Sequence, residues 1–292
     1  MSRATLGLLL GILGVAIFGG SLPATRLAVE ALSPWFVTFA RAAGAGLLAL
    51  GVLVALRRPW PRRSDAGALA IAAVTLIGTF PALMALAMTT VPAAHGGVVL
   101  GLLPLGTAVA SVIITGERPG AGFWLFAAIG AVVVVGFTLR DGGGGFQIGD
   151  AYLLLAGVTV CIGYVYAAIL SRAMPGWEVI SWMLALSLPV TIPLTLLTWP
   201  ADLAAVGTPH WLGLAYVTVF SQFLGFFAWN AGLAMGGIAR VSQTQLLQTF
   251  VTIALAALVN GEAIDGLTLG AAAVVVACVA LGSRARGGAA SR

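Results

Sequence analysis

The chain has 292 residues, 60% of them hydrophobic and only 8% charged, with a formal net charge of +5 and a mean hydropathy of +1.08. So few charged groups cannot cover a water-exposed surface, which excludes a soluble globular domain and indicates an integral membrane protein. All fourteen cations are arginines, and all but Arg26 and Arg41, which lie within helices near the outer face, are read in short connecting segments, unlike the basic face of a nucleic-acid-binding protein.

Apolar runs near 5–20, 34–56, 66–88, 92–114 and 122–138 predict five membrane spans. Runs near 149–171, 179–198, 210–233, 238–260 and 266–283 predict five more. Each approaches the ~17–25 residues that cross hydrocarbon as a helix. The opening "MSRATLGLLLGILGVAIFGG" has the basic head and apolar centre of a secretory signal. Leu22 and Pro23 ahead of Ala24 give no small-x-small cleavage pattern, so the stretch reads as an uncleaved first helix. Pro92 suits the opening of the fourth helix. Cys161 and Cys278 fall within spans and read as buried, inert thiols.

"RDGGGGFQIGD" at 140–150 is a linker, because four consecutive glycines hold no helix. No Lys-Ser or Lys-Thr follows it, which argues against a phosphate-binding loop. The expected organisation is a first repeat over 1–140, a linker over 141–149, a second repeat over 150–283 and a tail over 284–292.

An odd number of spans per half turns the second half upside down relative to the first. With a cytoplasmic amino terminus, Arg3, Arg57, Arg58, Arg62, Arg63, Arg118, Arg172, Arg240, Arg284, Arg286 and Arg292 lie inside, and Arg140 lies in an outer loop. Most acids, Asp150 and Glu262 among them, then fall outside. The loop "RRPWPRR" corresponds to the arginine-free "WPADLAAVGTPH", as positive-inside inverted copies require. Residues 94–117 and 239–262, 145 positions apart, also share Leu102 with Leu247, Thr107 with Thr252, and a closing Gly-Glu.

These phrases, with "FGGSLPATR" at 18–26, "SPWFVTFAR" at 33–41, "LPLGTAVASVIITGE" at 103–117 and "LVNGE" at 258–262, resemble the EamA family of the drug/metabolite transporter superfamily. Phe18 stands where that family often has Trp, and Arg26 where it often has Lys. Thr249 occupies the place that Pro104 holds in the first copy, which leaves open whether helix nine bends. The resemblance implies an all-α polytopic membrane protein, with ten transmembrane helices forming two inverted five-helix repeats around a central cavity. It also implies secondary transport by alternating access. The chain is most similar to YddG-type exporters, which implies export of aromatic and neutral amino acids across a bacterial-type inner membrane. Purine nucleosides, cationic drugs or a lipid-linked substrate moved by a flippase are the alternatives.

In helix nine, Ser242, Gln245, Thr249 and Thr252 recur at helical spacing, with Thr244 and Gln248 four apart beside them. Gln in hydrocarbon is costly, so this stripe faces protein, water or substrate; interhelical hydrogen bonding is its structural alternative. Gln222, Phe226, Trp229 and Asn230 form a second stripe in helix eight, where amides beside aromatic faces suit a zwitterionic solute. Ordinary packing competes there too. Tyr164 and Tyr166 point to different sides of helix six, so one of them can line a central cavity. Gly97 and Gly101 predict close backbone approach by helix four.

His95 and Arg240 are equivalent positions and candidate entrance residues, with interface anchoring as the alternative. Arg41 is expected to snorkel to the outer interface or to pair with Glu30, while Glu117 and Glu262 anchor loops. No ATP-binding motif and no carboxylate at mid-depth of a span is evident, so facilitated diffusion is expected, with His95 as the titrating candidate. Two His and two Cys on separate spans suggest neither a catalytic nor a metal site, so the protein is not expected to be an enzyme or to need a cofactor. Its expected partners are a small-molecule substrate and the lipid bilayer, without nucleic acid, as a monomer with a dimer as alternative, both termini being cytoplasmic.

Overall fold

The computed structural model describes residues 2–116, 120–141, 146–236 and 241–287. Six helices are long and apolar enough to cross a membrane alone: α1 (Arg3–Val29), α2 (Pro34–Ala55), α3 (Arg63–Ala87), α6 (Ile148–Leu170), α7 (Gly176–Leu197) and α8 (Thr208–Gly236). α4 is a bent pair, Ala93–Leu100 and Leu103–Thr115, meeting at 41°. Shorter apolar helices complete the described set: α5 (Ala121–Asp141), α9 (Gln248–Asn260, preceded by a 3₁₀ turn over Ser242–Leu247) and α10 (Gly266–Gly287). Large apolar side chains such as Ile113, Leu197 and Leu258 stand about 80% exposed on the periphery, where only lipid makes their exposure favourable.

The two halves interlock by a pseudo-twofold scheme. α1 packs along α8 as α6 packs along α3, while α2 meets α7, α4 meets α9 and α5 meets α10. Local irregularities repeat as well. α3 carries a π-helical segment over Val74–Thr79, and its counterpart α8 carries one over Tyr216–Leu224. α4 and α9 both end on a glycine in the left-handed region, Gly116 at φ 75° and Gly261 at φ 65°, where a Cβ would be strained.

α1 runs past the expected end near residue 20. It breaks at Gly20 and continues as Ser21–Val29, with Pro23 in the first turn of the new segment, where its missing N–H costs little. The bend in α4 follows the same logic, with Pro104 at the start of its second piece. α9 lacks that proline but still tightens to 3₁₀ geometry before Gln248.

Candidate functional site

The breaks in α1, α4 and α9 converge on a central cavity of ≈ 90 Å³. That is room for several waters, given the ~10–15 Å³ that one occupies on this measure. Its floor and walls come from eight helices, with Phe18 and Ser21 of α1, Arg41 of α2, Tyr164 of α6 and Gln222 and Phe226 of α8 opposite Gln245, Gln248 and Thr249.

The break in α1 frees backbone carbonyls, and neighbours take them up. Thr252 donates to the Gly19 carbonyl at 2.9 Å, and the Tyr216 hydroxyl to that of Ile17 at 2.9 Å. Both donors come from the second half, so the irregular backbone is satisfied across the repeat interface. Gly97 and Gly101 let α4 approach closely, since a Cβ on either would lie 2.9 Å from Thr252 Cγ2 or Thr249 Oγ1. Phe18 and Phe226 meet edge to face, with ring centroids 5.0 Å apart, and close one side of the space.

Of the residues singled out from sequence, Tyr164, Gln222, Phe226, Gln245, Gln248 and Thr249 are brought together at this cavity. Trp229 and Asn230 are not among its lining residues. The Trp229 backbone lies against Gly14 where α8 crosses α1, and the Asn230 side chain lies against Gly176 at the start of α7. Arg240 and Glu117 fall outside the described residues, as do the side chains of Ser242 and Gln243. Tyr166 turns away from the centre toward a lateral apolar pocket of ≈ 610 Å³ between α3, α4 and α6. Leu100 and Leu103 line both spaces and form the partition between them.

One expectation about a charged group is corrected by the packing. Arg41 does not snorkel to an interface or pair with Glu30: it is 3% exposed at the central cavity, and Glu30 lies instead 4.0 Å from His210. His95 is buried, with its Nε2 2.7 Å from Asp150 Oδ1 and its ring against Phe137. Asp150 is itself buried in the first turn of α6, where its other oxygen accepts the Gln147 N–H at 2.9 Å.

Glu262 anchors more than a loop. Its carboxylate accepts the Ala93 and Ala94 N–H groups at 2.7 and 2.9 Å, capping α4 from the end of α9, and it lies 3.3 Å from Arg26 Nε. Arg58 and Glu178 pair similarly between α2 and α7.

An apolar-surfaced bundle of interlocked repeats around a polar, mid-chain cavity is the architecture of a multi-pass membrane transporter. Residues 5–139 and 147–284 each match the EamA-like transporter family, and the chain belongs to that family. It is 46% identical over 285 residues to the uncharacterized transporter YdeK of Bacillus subtilis (strain 168), covering 97% of this chain and 99% of that one. A chloroplastic WAT1-related protein of Arabidopsis thaliana, At3g02690, is 23% identical over 279 residues, covering 90% of this chain and 66% of its own. One solved structure shares the fold with a TM-score of 0.65 at 21% identity, covering 96% of this chain and 97% of that chain.

Proposed function

We propose that the central cavity carries small zwitterionic metabolites, foremost neutral and aromatic amino acids, out of the cell by alternating access. The observation that carries this reading is the joining of three glutamines, Gln222, Gln245 and Gln248, with Phe18, Phe226 and Tyr164 around one space. Amide groups there match a solute's polar end, and the rings match an apolar or aromatic side chain. The proposed setting is a bacterial-type inner membrane, with a monomer whose termini both face the cytosol. A tag in the 199–207 connection should then be reached only from outside.

Counterflow in proteoliposomes tests the reading, using a panel of amino acids, purine nucleosides and cationic drugs. A carrier of amino acids exchanges labelled against unlabelled solute, and Gln245→Ala changes the ranking among transported solutes. An unchanged ranking assigns Gln245 to interhelical packing. The lateral pocket beside Leu100 and Leu103 supports a second reading, a lipid-linked substrate entering from the bilayer; such a protein would ignore free amino acids throughout the panel.

A further inference from the structure

Arg41 presents an electrostatic problem that the fold leaves to another molecule. Its guanidinium is 3% exposed, in the middle of the bundle, and it lines the central cavity. Its Nη2 donates to the Ser221 hydroxyl at a long 3.3 Å, and Ser221 is joined to Ser21 at 2.7 Å. Nε and Nη1 have no acceptor among the described residues. Those two atoms carry three of the five N–H groups of the side chain. No Asp or Glu is among the residues lining the cavity. A buried cation without a carboxylate opposes folding unless something else compensates it, so such a group in a membrane bundle marks a functional contact. Repeat symmetry does not require it either: α7, the helix that α2 meets across the two halves, contains no arginine or lysine.

We propose that Arg41 is the anion receptor of the central cavity and grips the carboxylate of the transported solute. This rests on the reading of that cavity as the transport path. A guanidinium fork offers charge-assisted donors to both oxygens of a carboxylate, a geometry that ammonium groups and neutral amides do not match. With no acid facing it, the solute's amino group meets only amide oxygens, hydroxyls and aromatic faces. The site therefore demands the carboxylate and tolerates loss of the amine.

The test uses the full protein in proteoliposomes, exchanging labelled phenylalanine against three competitors that each lack one group. 3-Phenylpropionate lacks the amine, while phenethylamine and phenylalanine amide lack the carboxylate. 3-Phenylpropionate is expected to compete within about threefold of phenylalanine, and the other two at least about thirtyfold more weakly, roughly 2 kcal/mol. Arg41→Gln should remove the preference for carboxylates, and Arg41→Lys should restore part of it. Equal competition by phenylalanine amide and 3-phenylpropionate overturns the role of Arg41 while leaving amino-acid exchange standing. Should labelled phenylalanine not exchange at all, the amino-acid reading falls, and the receptor is judged by thermal unfolding. There, 3-phenylpropionate or benzoate should raise the midpoint of the parent and not that of Arg41→Gln; no shift in the parent refutes it. Should Arg41→Gln fail to fold, the ranking of the three competitors on the parent decides. Arg41→Met adds a readout that a structural arginine would not give, because removing an uncompensated buried charge should leave the unfolding midpoint unchanged or higher.

Discussion

Glu262→Ala should loosen the attachment of α9 to α4 by an amount that follows from its contacts. The carboxylate satisfies two N–H groups that α4 leaves without intrahelical partners, at 2.7 and 2.9 Å. Hydrogen bonds to a charged group contribute about 1.5–3 kcal/mol each, and truncation at a site 11% exposed admits water to replace only part of that. The Arg26 pair adds at most about 1 kcal/mol, since the arginine is 29% exposed and also holds the Val91 carbonyl independently. The expected loss is about 2–4 kcal/mol for Glu262→Ala. Glu262→Gln keeps one acceptor oxygen and loses the charge, so about half of that loss is expected. Reversible unfolding in detergent, by denaturant titration with the parent alongside, measures both. An alanine variant within about 0.5 kcal/mol of the parent, a spread typical of neutral surface changes, would refute the capping argument. A glutamine variant as weak as the alanine variant would assign the effect to charge alone.

Gly232→Ala places a Cβ 2.7 Å from Gly11 N and 2.9 Å from Gly7 O, both backbone atoms, so α8 must move off α1. A loss of about 1–3 kcal/mol is expected, against none for Gly136→Ala, where a Cβ meets nothing within 4 Å. His95→Ala leaves Asp150 buried without its ring partner and should cost about 3–5 kcal/mol. The His95→Ala, Asp150→Ala double variant should cost less than the sum of the singles, and strict additivity in that cycle would show the two are uncoupled. Asp265, at the exposed start of α10, is held below its usual value of 3.8 by the Thr268 hydroxyl and then by the Thr268 N–H. A depressed carboxylate stabilises the turn above the unfolded pKa and loses that contribution as pH falls through the folded value. NMR titration of Asp265 should therefore give a midpoint under 3.8, with the Thr268 amide shifting in step; a midpoint at or above 3.8 counts against the turn.

Much of the fold was legible because it depends on quantities that each segment carries alone. Apolar length specifies a span whatever its neighbours, and the 145-residue repeat with its Gly-Glu endings reappears as paired helices ending on Gly116 and Gly261 in the left-handed region. The glutamines of α8 and α9 were legible as a set because hydrocarbon rejects an amide on any helix face. The π-helical segments over Val74–Thr79 and Tyr216–Leu224 were not, because apolar residues surround them on every side and leave no periodicity from which a widened i to i+5 turn could be read. Gln222 and Phe226 line the cavity, while Trp229 and Asn230, on the same expected stripe but further along the regular helix that follows the π segment, lie along α1 and α7.

The sequence by itself determined that this chain is a membrane bundle of two related halves with polar groups in its later helices, since hydropathy, charge bias and repetition are properties of the chain read in one dimension. Only the tertiary structure decided the fate of its ionisable groups. Arg41 had a signal, an arginine inside an apolar run with no acid three or four residues away, but whether such a group reaches an interface or points inward depends on which helices surround it. Burial of Arg41 at the cavity and of His95 against Asp150 follows from helices crossing between the two halves, and depth and facing exist only once those crossings are made.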